Sequence, residues 1–303
     1  MSYKTEFIKR AVDSNAFISS DAYATVVNPQ IWDTKLRDYE EKNIIFANHV
    51  ELFDFRGPGR AYTVTVDAAP TAAAAVVETD AVTIQPITNR QVTFTPTEYG
   101  TAMQTTRKEL VRAFFSVMDN MSKKLGYALA LRKDSLGVAA AIEGATTNYT
   151  VNNVTSSDIA SSDTLALSDF TRSVRAIKNL YYEPVKAMIC PSQEEQVLNI
   201  AQVQKVNEFG TRDAIDKGLV GQLFGLKIYV THSIPVASNQ AKMIVLGQSQ
   251  TGEQAVGLAV KRDPMIERDY DAFFRQESLI ATEEYQFQVL HPGAIVCVES
   301  YAA

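Results

Sequence analysis

Cysteine is nearly absent from these 303 residues: Cys190 and Cys297 are the only two, so no disulfide framework holds the fold. Both lie in apolar, strand-like stretches, Ala187-Met188-Ile189-Cys190 and Ala294-Ile295-Val296-Cys297-Val298, and read as small buried hydrophobes. Histidine is as scarce. His49, His232 and His291 are far apart, and none stands in a metal-binding spacing such as His-Glu-x-x-His. No apolar run approaches the ~20 residues needed to span a bilayer. The opening Met1-Ser2-Tyr3-Lys4-Thr5-Glu6 lacks the apolar core of a secretory signal, so a cytoplasmic origin is expected. An excess of positive charge is missing too. Lys plus Arg number 29 against 35 Asp plus Glu, a net charge of −6, which disfavours a protein whose work is gripping phosphates.

Catalytic constellations are also wanting. The sharpest enzyme candidate is a Cys190–His232 nucleophile pair, as in a Cys/His-dependent hydrolase, whose only support is that both lie in the same half of the chain. Gly218, Gly221 and Gly225 punctuate a segment filled with Leu219, Val220, Leu223 and Phe224. Apolar side chains would stand where backbone amides must meet a phosphate, so tight turns before a strand explain them better. Glu194-Glu195 and Glu283-Glu284 read as solvated faces. The expectation is no enzyme, no cofactor and no metal.

What is present is an ordinary globular composition, 46% hydrophobic and 21% charged, in a chain long enough for one large or two joined domains. Residues 1 to 27 are weakly patterned and read as an arm with sparse anchors: Phe7, Ile8, Val12, Phe17, Ile18 and Tyr23. Asn28-Pro29 opens a helix carrying Trp32, Leu36 and Tyr39, followed by a buried Ile44-Ile45-Phe46. The turn Arg56-Gly57-Pro58-Gly59-Arg60 leads into a strand, Ala61 to Asp67. A small-residue tip follows from Ala68 to Val77, and the return runs through Ala81 to Ile84 and Gln91 to Thr95. A two-stranded ribbon of this kind is marginal alone, and a neighbouring subunit is its expected support. Arg56 and Arg60 are then candidates to clamp that neighbour's carboxylates.

From Thr106 to Ile142 there is no proline, and Leu110, Phe114, Met118, Met121, Leu125 and Leu129 mark one face of a long helix, with Gly126 or Gly137 as the expected break. Residues 143 to 164 read as a loop or small hairpin. Ser168-Asp169 is expected to cap a helix that turns Phe170, Val174, Ile177 and Leu180 inward. The strand Val185 to Cys190 runs into a second helix, for which Ser192 and Glu195 suggest a capping box. Strands are expected at Leu226 to Thr231, Lys242 to Leu246, Ala255 to Lys261, Tyr285 to Leu290 and Ala294 to Val298. No internal repeat or low-complexity linker is seen.

The glycine segment, continued through Leu226-Lys227-Ile228-Tyr229-Val230-Thr231-His232-Ser233-Ile234-Pro235, resembles a pattern of tailed-bacteriophage major capsid proteins: Gly-x-x-Gly-x-x-x-Gly, a strand, and a Ser-x-x-Pro end. The Asn28 to Val50 segment is similar to that family's post-arm region. The Arg56 to Pro96 hairpin resembles its extended loop, and the helix from Thr106 its spine, with Asp134 near a position where Asp often follows. Cys190-Pro191-Ser192 resembles the strand-to-helix junction of its axial domain.

The resemblance implies an α+β, Hong Kong 97-like major capsid fold with N-terminal arm, extended β-hairpin loop, peripheral domain with a long spine helix, and axial α/β domain. It apportions the chain as arm 1–27, start of the peripheral domain 28–55, extended loop 56–96, peripheral domain 97–164, axial domain 165–284 and return strands 285–303. The implied partners are further copies of itself in hexamers and pentamers, a scaffolding protein, a portal, and decoration or cement proteins. The shell would enclose double-stranded DNA without reading its sequence, and a mildly acidic wall suits that task by not gluing the polymer down. Residence in a virion after synthesis in a host bacterial cytoplasm, with no membrane association, completes the expectation. Phe7, Phe17, Tyr23, Arg56 and Arg60 are the expected interface residues. Encapsulin shells share the fold, so an encapsulin-type nanocompartment is the alternative.

Overall fold

A computed structural model describes residues 36, 44–67, 89–113, 116–200 and 222–302. The arm with Phe7, Phe17 and Tyr23, Trp32 and most of its expected helix, the alanine-rich tip, and Gly218 and Gly221 lie outside the described residues.

Twelve strands are formed by the described residues: β1 Glu51–Asp54, β2 Tyr62–Asp67, β3 Asn89–Phe94, β4 Thr97–Thr106, β5 Thr147–Thr150, β6 Glu183–Ile189, β7 Gln222–Leu223, β8 Leu226–Val230, β9 Gln240–Gln248, β10 Val256–Asp271, β11 Gln276–Val289 and β12 Ile295–Tyr301. Four α-helices lie wholly among the described residues: α1 Arg107–Arg112, α2 Val117–Gly144, α3 Leu167–Asn179 and α4 Pro191–Leu198. The strands make sheets ordered β1-β10-β11-β4 and β5-β12-β9-β6-β8-β7, and a separate β2-β3 ribbon. No helix among the described residues is long and apolar enough to cross a membrane.

The chain divides into two compact units, a smaller one holding Glu98–Arg132 and Arg262–Glu284 and a larger one holding Ile45–Thr97, Lys133–Lys261 and Tyr285–Ala303. In the smaller unit the three- and four-residue spacing of α2 does what it promises. Met118, Met121, Leu125 and Leu129 are buried with Leu36 against Ile266 of β10 and Leu279 and Ala281 of β11. Alternation along β10 and β11 supplies those partners from one face of the pair.

The expected break in the long helix falls elsewhere than at glycine. α1 ends at Ala113, whose backbone is extended, and α2 begins after Ser116, whose Oγ accepts the N–H of Asp119. Thr106 caps α1 in the same way, accepting from the N–H of Glu109. Gly126 and Gly137 instead lie inside α2 and are buried. At Gly137 an added Cβ would come within 2.5 Å of the Phe46 ring. The glycine is there for close packing, not for a kink.

In the larger unit one face of the six-stranded sheet carries Ala187, Ile189, Leu226, Ile228, Met243, Val245, Val296 and Val298 under Phe170, Val174 and Ile177 of α3 and Val197 of α4. Register explains the set: Ala187 pairs with Ile228 on one side and Val245 on the other, and Val245 with Val296. Two expected caps are corrected by this region. α3 follows Ala166, whose N–H donates to Asp169 Oδ2, so Asp169 reaches back while Ser168 lies within the helix. α4 follows Cys190, whose N–H donates to Gln193 Oε1, in place of the Ser192–Glu195 pair. In each case the cap lies two residues earlier, on the last extended residue before the helix, Ala166 or Cys190. Leu180 is also not inward: it ends α3 and is 45% exposed.

The hairpin's described strands, β2 and β3, pair from Tyr62↔Phe94 to Asp67↔Asn89. Their apolar face (Tyr62, Val64, Val66, Val92, Phe94) packs with Phe53, Ala259 and Leu290. The base of the ribbon is thus supported by its own chain.

Candidate functional site

Cys190 and Cys297 are free and each is 1% exposed. Burial pushes both thiols up, Cys297 to about 12, so neither is a thiolate near neutrality. The Thr231 N–H donates to the Ile189 carbonyl, which sets Cys190 and His232 on neighbouring strand ends, but His232 faces solvent while Cys190 is enclosed. That arrangement does not make an activated nucleophile.

His49 packs at a tilt against the Tyr229 ring, ring centres 4.0 Å apart. Burial, then the charges of Lys186 and Lys227, lower its imidazole to about 4, leaving it neutral at physiological pH. Lys186 donates from Nζ to the His49 carbonyl and to Gln254 Oε1, and burial lowers its pKa as well. These bonds tie the segment before β1 to the sheet. His291 is buried between Glu253, 3.0 Å away, and the Tyr182 ring. Among the described residues no group of His, Cys, Asp and Glu is arranged to hold a metal ion.

Asp134 has a structural task. Its carboxylate accepts the backbone N–H groups of Ile45, Phe46 and Ala47 at 2.8, 3.1 and 3.3 Å, closing the short turn between the buried Phe46 and β1. Burial raises its pKa against the pull of those three donors. Gln193, with no exposed surface, donates to the Ala241 carbonyl and to Ser300 Oγ while accepting from Cys190, and so binds α4 to β9 and β12.

The expected interface arginines sit on a glycine turn. Gly59 has φ +133, a conformation that suits glycine, and the Phe55 ring packs beside it and 5.3 Å from that of Tyr62. Arg56 and Arg60 are exposed, and Arg56 Nε lies 3.4 Å from Asp54 of its own chain. An exposed pair of this kind contributes ~0–1 kcal/mol.

Two features escaped the sequence reading. The β10–β11 turn presents Phe273 and Phe274 to solvent, and α1 with the start of α2 lines an open cleft of about 1080 Å³. The signal for the first was visible: two adjacent Phe inside an otherwise charged stretch, Glu267 to Glu277.

Comparison with known proteins bears on family and fold. A family model described as phage capsid protein matches residues 88–303. No curated protein matches the chain. Among solved structures, one from Mycobacterium phage Che8 is similar with a TM-score of 0.64 and 14% identity, over 84% of this chain and 90% of that one. The capsid of Cyanophage P-SCSP1u gives 0.65 and 15%, over 86% and 88%. A virus-like particle from Pyrococcus furiosus gives 0.59 and 16%, over 89% and 98%. At these identities the structural likeness establishes the fold, which is the Hong Kong 97-like one.

Proposed function

The chain belongs to the phage capsid protein family, and we propose that it is the major shell subunit of a tailed-phage head, assembling as hexamers and pentamers into an icosahedral container for double-stranded DNA. The carrying observation is the family match across 88–303 joined to a fold shared with capsids over more than four-fifths of the chain. On this reading its activity is association and not catalysis.

Scaffolding protein, portal and decoration proteins belong to the same proposal, as do synthesis in a host cytoplasm and the division into arm (1–27), post-arm segment (28–55), extended loop (56–96), peripheral (97–164) and axial (165–284) domains and return strands (285–303). Phe7, Phe17 and Tyr23 anchor the arm on a neighbour, and Arg56 and Arg60 contribute at the base of the extended loop. Expression with a cognate scaffolding protein, followed by sedimentation and electron microscopy, tests the reading. Closed particles or capsomers are expected, and a folded chain that stays monomeric under all such conditions would overturn it.

The likeness to a virus-like particle favours one second reading, an encapsulin-type compartment. Such a shell closes without scaffold or portal and takes up cargo protein, so assembly of the chain alone around a cargo would favour it.

A further inference from the structure

Phe273 and Phe274 are 96% and 73% exposed at the β10–β11 turn. The turn is braced. Asp271 Oδ1 accepts the N–H groups of Phe273 at 2.9 Å and Phe274 at 3.1 Å, and the Arg275 carbonyl accepts the N–H of Arg107 at 3.0 Å. Two phenyl rings held largely in solvent on a braced turn suit a partner. Behind them the exposed residues Glu267, Asp269 and Tyr270 give the turn an acidic neck, while Arg268 is engaged with Glu277 at 2.6 Å.

The same unit carries a surface of complementary character. The cleft along α1 and the start of α2 has Met103, Val117 and Met121 among its lining, with Lys108, Arg112, Lys123 and Lys124 exposed around it. Glu109 is the one carboxylate among the described residues that line it. A chain of net charge −6 has thus gathered four cations about an apolar floor, and methionine adapts readily to aromatic rings. The turn does not fill this cleft in its own chain. Phe274 instead lines an adjoining hollow of about 580 Å³ with Arg107, Val111 and Arg112, which shares Thr106, Lys108 and Arg112 with the cleft, and Phe273 is almost wholly exposed.

We propose that the Phe273–Phe274 turn of one copy of this chain seats in the Met103–Met121 cleft of a second copy. Made head-to-tail, with the cleft of one copy filled by the next copy in line, this contact repeats from copy to copy, as a closed ring or shell requires. The acidic neck meets the lysine rim and sets the orientation. The proposal rests on the shell-forming reading above and names one of its contacts.

The test uses two populations of full-length chain, one Phe273→Cys and one Asn120→Cys, the latter exposed in the cleft wall. Co-assembled and oxidised, they should give a dimer band on a non-reducing gel roughly tenfold stronger than either population alone, because seating raises the local thiol concentration. Separately, Phe273→Ser/Phe274→Ser should lower the yield of closed particles roughly tenfold or more. Lys123→Glu/Lys124→Glu should do the same, and adding Glu267→Lys/Asp269→Lys should restore closure. Closed particles without a cross-link between copies, or a cross-link only to a different protein, overturn the docking and leave the shell reading standing. No particles from the unaltered chain with its scaffold overturns the shell reading, and the docking falls with it.

Discussion

Gln193 and Phe273 invert the usual rule of what goes inside, in opposite senses. Gln193 is a polar amide with no exposed surface, and its oxygen and nitrogen are bonded to Cys190, Ala241 and Ser300. Phe273 is an apolar ring standing almost wholly in solvent. A buried polar group costs little when its bonds are complete, and it fixes one arrangement of α4 on the sheet. An exposed apolar group has no such completion within its own chain. Gln193 therefore finishes its interactions within its own chain, whereas the β10–β11 turn leaves one open. Substitutions in the first region should be read in the stability of the subunit, and those in the second in its association.

The largest effect tests the closed region. Phe170 has no exposed surface and packs from α3 onto the sheet. Phe170→Ala should destabilise the subunit by about 3–5 kcal/mol, measured by denaturant unfolding. A loss below about 1 kcal/mol would mean that α3 does not close this core. Next is Asp134. Asp134→Ala strands the N–H groups of Ile45, Phe46 and Ala47, and should cost about 2–4 kcal/mol. Near-neutral behaviour would show those donors finding water.

Gly137→Ala comes third. The substitution gains about 1 kcal/mol of helix propensity. It also drives a Cβ to 2.5 Å from Phe46 and 3.1 Å from Phe287, which are buried or held edge-on to each other. Overpacking should win by about 1–2 kcal/mol net, as a lowered unfolding midpoint. Increased stability would mean that Phe46 swings aside at no cost.

How far these contrasts were legible depended on local pattern. The α2 face could be read from Met118 to Leu129 because a helix packed on one side repeats every three or four residues. β9 and β12 were legible as apolar runs because the six-stranded sheet buries both faces near its centre. The outer part of β10 was not. Beyond Lys261 it carries Arg262, Asp263, Pro264, Glu267, Arg268 and Asp269, a run that reads as loop. Only Pro264 and Ile266 of that run are buried, and Ile266 packs with the β11 residues Leu279 and Ala281, so pairing overrides composition there. The helix break before α2 was misplaced because glycine is a local signal, whereas the close approach of Phe46 to Gly137 is tertiary. The Phe273–Phe274 turn was plain in the sequence but had no meaning until its exposure was known.

The fourth effect is smaller and depends on pH. The folded state lowers His49 from 6.5 to about 4, so it binds fewer protons than the unfolded chain between those values. Stability is therefore complete above about 6.5 and falls as pH drops toward about 4. With its ring partly open to solvent, the change should amount to about 1 kcal/mol. His49→Gln should flatten that slope in unfolding measurements across the window. An unchanged slope would assign it to other groups.

The smallest expected effect on the subunit decides the comparison. Phe273→Ser/Phe274→Ser removes two large apolar side chains, a change that in the sheet core would unfold the protein. Here the rings are 96% and 73% exposed, so few contacts are lost. The turn itself is made by the Asp271 carboxylate on backbone N–H groups, which serine retains. Arg275, at φ +53, and its carbonyl bond to Arg107 are untouched. The unfolding free energy of the unassembled subunit should therefore stay within about 0.5 kcal/mol of the parent. Sedimentation of the two chains under assembling conditions should nonetheless separate them clearly. A drop of more than about 2 kcal/mol in subunit stability would show that the rings pack within their own chain. The contrast between a completed core and an open turn would then fail where it was drawn most sharply.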